Sequence, residues 1–350
     1  MNEHLITIPI SNDTTKTVEL LTCFHDDDAF KYQAYIYTFL LVFPVAFLCN
    51  IGALVIFYVH GSHRKTPSSV VMMNMAISDG SFALTLPLRL AYYFRGGIWD
   101  FSDWVCRLCV YGFYVNLYTS ILFLTLLSVL RWIAVTMPHR HDSLATPKRV
   151  LFICLFIWLF VGVSSIPFLC DGIVNRQGFP RCFEPSSPSS WGRILILNYV
   201  GVALGFLLPF LTIIACYSRL VRELMAKPRV SNCNQSQNNV RDTRKRSVYL
   251  VAMVTATFLL CFLPYHIIRS LHLHAVCGGW DCDIVVALQR AVVVTLCLAA
   301  SNCMINPLLY YYSTKTFRDK MRDVQSSIRS RSGSFRSGRG QKRSKKNSIT

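Results

Sequence analysis

Residues 34–59 read AYIYTFLLVFPVAFLCNIGALVIFYV, a run without one charged side chain. A helix of about 20 mostly apolar residues, rising about 1.5 Å per residue, crosses about 30 Å of hydrocarbon. A strand of a transmembrane barrel needs only about 9–11 residues, so this run reads as a spanning helix. Six more follow, at about 68–94, 104–136, 149–170, 193–221, 245–271 and 284–312. The sequence therefore predicts an all-α membrane protein built as a seven-transmembrane helix bundle. Residues 1–33 precede the bundle, 34–313 form it and 314–350 follow it.

Composition agrees. Of 350 residues 53% are hydrophobic and 15% are charged, against roughly a quarter charged in a soluble domain. Neither a soluble fold nor general disorder fits those values. The net charge of +18 is not spread as on a nucleic-acid-binding face, since the bases cluster between apolar runs. Residues 1–33 carry six acids and two bases, and 315–350 carry twelve bases and two acids. Basic residues collect on the cytoplasmic side of membranes. The N-terminus is thus expected outside and the tail inside, in a multi-pass protein of the plasma membrane. The short apolar patch Leu5–Ile10 lacks a basic start and does not read as a signal peptide.

That orientation puts the sequon at Asn12 outside, as a glycosylation candidate, and the one at Asn234 inside, unused. It also puts Cys23, Cys106, Cys182, Cys277 and Cys282 in an oxidising compartment that favours pairing. Five is odd, so one of Cys277 and Cys282 is left over unless these two pair together. The cysteines inside apolar runs read as small apolar side chains.

Ionisable groups within spanning helices are costly and by default mark function. Asp79 lies mid-run, with Asn50, Asn116, Ser120, Asn302 and Asn306 at matching depth in other runs. A carboxylate among amide and hydroxyl oxygens suits a hard cation, here read as sodium; an interhelical hydrogen-bond network is the equal alternative. Arg131 follows Cys106 by 25 residues, about 37 Å along a helix, and so reaches the inner surface. Arg89, Arg269 and Arg290 belong to the outer third. Three converging guanidinium groups make an anion site, because arginine pairs bidentately with carboxylates; snorkelling to the surface is the plainer reading, above all for Arg290. Tyr92, Tyr93, Tyr114, Tyr118 and Tyr265 accompany them, with His266 near the same end. Tyrosine offers an apolar body and a polar tip, so the implied ligand is amphipathic and acidic. For Tyr92 and Tyr93 the alternative is an interfacial aromatic belt. Zinc at His266, His272, His274, Cys277 and Cys282 fits no ordinary ligand spacing. Pro87, Pro167, Pro209, Pro264 and Pro307 predict kinks, where a bundle can hold two packings.

These residues resemble the rhodopsin-like (class A) G-protein-coupled receptors over 34–324. Asn50, Asp79 and Trp158 look like helix landmarks of that family, and Cys106 with Cys182 looks like its disulfide. Cys261-Phe262-Leu263-Pro264 resembles the switch of the sixth helix with Phe in place of Trp. Asn306-Pro307-Leu308-Leu309-Tyr310 resembles the motif of the seventh. Tyr217 fits the inner tyrosine of the fifth, and Phe317-Arg318 looks like the start of a short amphipathic eighth helix. Leu130-Arg131-Trp132 departs from the pattern: the acid that usually precedes this arginine is missing, which predicts raised basal activity. A closer resemblance is to the cysteinyl leukotriene receptors. It is carried by Thr85-Leu-Pro-Leu-Arg89 with Tyr92-Tyr93, Tyr114-Val-Asn-Leu-Tyr118, Pro264-Tyr-His-Ile-Ile-Arg269, Leu271-His-Leu-His274 and Leu298-Ala-Ala-Ser-Asn302.

The resemblance implies a receptor for eicosanoids bearing peptide-derived carboxylates and a lipid tail. It implies coupling to Gq-type proteins, phospholipase C and calcium release, with receptor kinases and arrestin as further partners. It also implies a second disulfide, Cys23 with Cys282, and a switch made of Phe262, Pro264, Arg131, Tyr217, Asn306, Pro307 and Tyr310. Ser334 and Ser337, close behind arginines in a basic tail, are phosphorylation candidates. Three rivals stand beside it: a receptor for another acidic ligand such as a nucleotide or fatty acid, a retinal protein, and a transporter. A retinal protein needs a lysine that the seventh run lacks, and a transporter predicts internal repeats that the chain does not show. No nucleophile, base and orienter constellation suggests an enzyme.

Overall fold

The computed structural model describes residues 28–60, 66–137, 140, 143–170, 172–176, 178–184, 188–226 and 249–313, together with residues 318, 322 and 326. Seven helices in it are long and apolar enough to span a membrane. They are α1 (Asp28–Tyr58), α2 (Pro67–Phe94), α3 (Asp103–Thr136), α4 (Pro147–Leu169), α5 (Ser190–Glu223), α6 (Tyr249–Gly278) and α7 (Cys282–Tyr312). This is the predicted all-α, multi-pass architecture. Helices α1, α5 and α6 extend past the apolar runs read from the sequence, because backbone hydrogen bonding continues where side chains turn polar. At the start of α1, for example, Lys31 Nζ lies 2.6 Å from Asp28 Oδ1 one turn away.

Local chemistry sets several helix ends. Thr66 caps α2 by accepting from the Ser69 amide while Ser69 Oγ accepts from the Thr66 amide, and Pro67 fills the first helical position. Thr146 caps α4 by accepting from the Arg149 amide, without the reciprocal bond, ahead of Pro147. Gly279 ends α6 at φ +62°, a backbone state that glycine adopts without strain.

The membrane shows in how α4 is sided. Val150, Cys154, Ile157 and Val161 face the bundle, while Phe152, Leu155, Phe156 and Leu159 are exposed on the opposite side. A helix apolar on both faces has no stable place in water and an ordinary one in lipid. The most buried helices are α2 and α3, and α5 is the least.

Three irregularities shape the interior. Helix α5 passes through a π turn at Gly201–Leu207, and α6 through another at Phe258–Phe262, immediately before Pro264. Helix α7 breaks at Ser301 and resumes at Asn302. Between α4 and α5 a hairpin pairs β1 (Val174–Arg176) with β2 (Phe179–Arg181), antiparallel, with Val174 opposite Arg181. The Cys106–Cys182 disulfide ties the hairpin to α3, and the Trp99 amide donates to the Pro180 carbonyl. Arg318, Arg322 and Ser326 are helical, whereas Phe317 lies outside the described residues. So do Asn12, Cys23, Asn234, Ser334 and Ser337.

Candidate functional site

At the disulfide end of the bundle, Arg89 is 5% exposed. Its Nη2 donates to the Cys109 carbonyl at 2.6 Å. Its guanidinium lies 4.4 Å from the Phe183 ring centroid and 5.6 Å from that of Phe113. Among the described residues no carboxylate pairs with it, and its Nε is buried without a hydrogen-bond partner. A guanidinium taken out of water retains its charge. Aromatic faces compensate only part of the lost hydration. The arrangement is short of one anion.

Around Arg89 the tyrosines form a buried cluster. Tyr93 stacks on Tyr35 with centroids 4.8 Å apart, and Tyr92 meets Tyr32, Trp99 and Phe183 edge to face. Tyr92 and Tyr93 are 1% and 5% exposed, so they form no lipid-facing aromatic belt. Phe183 was invisible to sequence reasoning. It follows Cys182 in a short loop, adopts φ +67°, unusual for a bulky residue, and so turns its ring onto Arg89. Its position next to a pairing cysteine was the only available signal.

Deeper in, Tyr114 stacks on Phe168 and Tyr265 meets Phe113 edge to face. Arg269 is half-buried on α6, within electrostatic range of Tyr118 and Tyr265. Tyr118 forms one wall of a narrow cleft of about 50 Å³ between α3, α4 and α5, open toward the flank of the bundle. Gly201 and Gly205 form the facing wall. A Cβ on Gly205 would lie 2.6 Å from Tyr118 Cδ1, and one on Gly201 would strike the phenol oxygen. The π turn of α5 thus passes its two glycines beside the tyrosine ring. The cleft's outer lip, Phe160, Val200 and Leu204, is exposed on the apolar flank of the bundle. His266 is buried beside Tyr118, its ring stacked on Phe206.

Arg290 does not join Arg89. It is exposed near the start of α7, with its guanidinium 6.0 Å from the Phe30 centroid.

Halfway along the bundle, Asp79 is fully buried. Oδ1 accepts from Asn116 Nδ2 at 2.9 Å and Ser120 Oγ at 3.3 Å, and Oδ2 accepts from Asn306 Nδ2 at 2.8 Å. Asn306 Nδ2 also reaches Asn302 Oδ1 at 3.2 Å. The two readings of this cluster meet here: the network exists, and Asn306 Oδ1 is a buried acceptor without a partner among the described residues. A carboxylate beside a spare amide oxygen and a hydroxyl is a donor set that suits a hard cation. Asn50 is separate, donating to the Ala46 and Cys303 carbonyls.

Toward the far end, Ser128 Oγ and Tyr217 OH share a hydrogen bond of 2.8 Å, and Arg219 lies 5.8 Å from the Trp132 centroid. Both contacts join α3 to α5 beside Arg131. Tyr310 is buried, its hydroxyl 3.5 Å from Asn50 Oδ1. Phe262 is buried against Phe258 at the end of the π turn that precedes Pro264.

Two cysteine questions left open by the sequence separate. Cys282 is disulfide-bonded and Cys277 is free. Among the described residues no group of three His, Cys, Asp or Glu side chains could hold a metal ion.

Residues 49–310 match the profile of the 7 transmembrane receptor (rhodopsin family). The chain is 38% identical over 317 residues to the cysteinyl leukotriene receptor 1 of Cavia porcellus, covering 90% of this chain and 91% of that one. It is 37% identical to the cysteinyl leukotriene receptor 2 of Mus musculus, with 85% and 93% covered. It is 34% identical to the uracil nucleotide/cysteinyl leukotriene receptor of Rattus norvegicus, with 80% and 79% covered.

Proposed function

Because this chain belongs to the rhodopsin family of seven-transmembrane receptors, a family of receptors and not of enzymes, we propose that its bundle is a cell-surface receptor for cysteinyl leukotrienes. The observation that carries this reading is Arg89, a buried guanidinium without an acidic partner among the described residues. A ligand carboxylate supplies the missing anion, with Arg269 as the second cationic contact and Arg290 at the rim. Tyr92 and Tyr93 contact the ligand beside Arg89, while Tyr114, Tyr118, Tyr265 and His266 line the path inward. The lipid tail lies in the cleft between α3, α4 and α5, whose walls are mostly apolar.

In this reading the N-terminus is extracellular, Asn12 is glycosylated, Cys23 is the partner of Cys282 and the tail is cytoplasmic. Ligand binding shifts the Phe262–Pro264 kink and moves the inner half of α6, exposing Arg131, Tyr217 and Tyr310 to a Gq-type protein. Phospholipase C and calcium release follow, and receptor kinases and arrestin act on the Ser-rich tail. A ligand moves this equilibrium only by its differential affinity for the two packings. Asp79, Asn116, Ser120, Asn302 and Asn306 hold an allosteric sodium ion in the resting packing. The orphan Asn306 oxygen supports that assignment.

The test is intracellular calcium in cells expressing the full chain, challenged with cysteinyl leukotrienes, uracil nucleotides and fatty acids. The nucleotides are included because one relative is named for both ligand classes. The expected result is a leukotriene response absent from untransfected cells, with Arg89→Ala and Arg269→Ala each raising the effective concentration about tenfold or more, the worth of one charge-assisted hydrogen bond. Unchanged potency in both variants overturns the carboxylate assignment. Silence to leukotrienes at confirmed surface expression overturns the ligand class.

A further inference from the structure

We infer that His266 is the hydrogen-bond acceptor of the site, held in the neutral tautomer with its proton on Nδ1, and that it receives a hydroxyl or amine donor from the ligand. The inference rests on the binding reading above and adds a second polar requirement to it.

The tautomer follows from one contact. His266 Nδ1 lies 2.8 Å from the carbonyl oxygen of Phe262, one helical turn back. A carbonyl only accepts, so Nδ1 carries the proton. A neutral ring then presents a lone pair at Nε2 and nothing else. His266 is 3% exposed, and Nε2 is buried without a hydrogen-bond partner among the described residues. The ring's neighbours are aromatic: Phe206 stacked at 4.4 Å, Tyr265 edge-on at 5.2 Å and Tyr118 at 6.0 Å. A buried acceptor left unpaired is unfavourable, so the site gains when an O–H or N–H donor arrives.

His266 does not itself line the cleft but lies one ring behind its wall, and the ligand is the donor we assign to it. Tyr118 is shared between the surroundings of His266 and the cleft, and Phe206 directly follows Gly205 of the cleft wall. A row of rings, Phe113 then Tyr265, separates Arg89 from His266. The site therefore asks for an anion at one end of that row and a donor at the other. A fatty acid with a bare chain meets the first demand only. A cysteinyl leukotriene, whose chain bears a hydroxyl near its thioether, meets both. The same ring also grips the backbone where the π turn Phe258–Phe262 ends and Pro264 begins, so a pull on Nε2 is felt at the kink of α6.

Two side chains separate the two nitrogens. Asparagine can place an amide donor near Nδ1 but has no acceptor at Nε2, whereas glutamine can place its oxygen near Nε2. The experiment measures binding of a radiolabelled cysteinyl leukotriene, and of its analogue with the chain hydroxyl replaced by hydrogen, to membranes carrying the full-length chain, His266→Asn or His266→Gln. The expected result is a loss of about three- to tenfold for the parent ligand in His266→Asn, the worth of one hydrogen bond. The analogue binds the unaltered chain and His266→Asn alike, and His266→Gln keeps the parent's affinity within about threefold. Equal losses for both ligands in His266→Asn, or no loss for either, overturn the inference and leave the proposed ligand class standing. If His266→Asn fails to reach the membrane, the unaltered chain decides: equal affinity for parent and analogue overturns the inference. Absence of any leukotriene binding by the unaltered chain overturns the proposed ligand class and this inference with it.

Discussion

A guanidinium sealed between helices has to find its counter-charge somewhere, and Arg89 finds only a carbonyl and two aromatic faces among the described residues. Replacing an unpaired buried charge by an apolar side chain of similar length is usually neutral or stabilising. We therefore expect Arg89→Met to leave the unfolding temperature of the purified chain unchanged or raised while ligand affinity falls more than about tenfold. A fall in both would mark Arg89 as structural. Phe183→Ala removes the closer cation–π contact, worth about 0.5–2 kcal/mol, and is expected to weaken ligand binding without altering surface expression. At Asp79, the change to Asn retains the size of the side chain and removes its charge. Agonist affinity should then lose its sensitivity to sodium when sodium chloride is compared with choline chloride in the binding assay. A sodium effect that persists in Asp79→Asn sinks the cation assignment.

Among the elements, α5 carries the clearest structural commitment. Its π turn at Gly201–Leu207 puts Gly205 against Tyr118, where a Cβ would lie 2.6 Å from a ring carbon. Either the ring or the helix must shift, so Gly205→Ala is expected to cut ligand affinity about tenfold or more. Gly192→Ala on the same helix is the control, because nothing lies within 4 Å of its added methyl group. Affinity unchanged in both variants would show that Tyr118 does not line the binding cleft. Helix α3 meets α5 again beside Arg131 through the Ser128–Tyr217 hydrogen bond and the Arg219–Trp132 contact. These contacts lie where the sequence lacks the usual acid, and Leu130 in its place is buried and apolar.

At the scale of the whole molecule, the disulfide end is drawn together by charge. Lys31 on α1 lies 2.6 Å from Asp28 and 3.2 Å from Glu184, and Glu184 lies 3.2 Å from Arg176 of β1. Burial by itself would lower the Arg176 pKa, but Glu184 and Asp28 outweigh it and hold it above its usual value. Arg181 of β2 donates to Tyr32 OH and to the Gly96 carbonyl, both at 2.7 Å. The hairpin is thus joined to α1, to the α2–α3 turn and, by the disulfide, to α3. Glu184→Gln leaves two basic groups with Asp28 alone. Partly buried ion pairs of this kind are worth about 1 kcal/mol each. Hydrogen exchange should therefore quicken in the first turns of α1 and in the hairpin, and remain unchanged in α4. Unaltered protection in the hairpin would show that the disulfide and backbone contacts hold it without the ion pairs.

The sequence by itself determined the membrane architecture, because hydrocarbon admits few ways to satisfy a backbone and seven long apolar runs leave only the helical one. It also marked Asp79, Arg89, Tyr118 and His266, since polar groups in such runs have few innocent explanations. Tertiary structure decided which of the marked residues meet. Arg290 and Arg89 look alike in one dimension, yet one is exposed over Phe30 and the other buried under Phe183. Tyr92 and Tyr93 could face lipid or protein by pattern alone, and the rotation of α2 turned them inward. Phe183, Gly201 and Gly205 carried no periodic signal, because a loop residue with positive φ and two glycines in a π turn acquire their roles only from what lies across the gap. Apolar periodicity reports a helix's affinity for its surroundings; only packing fixes which neighbour each face meets.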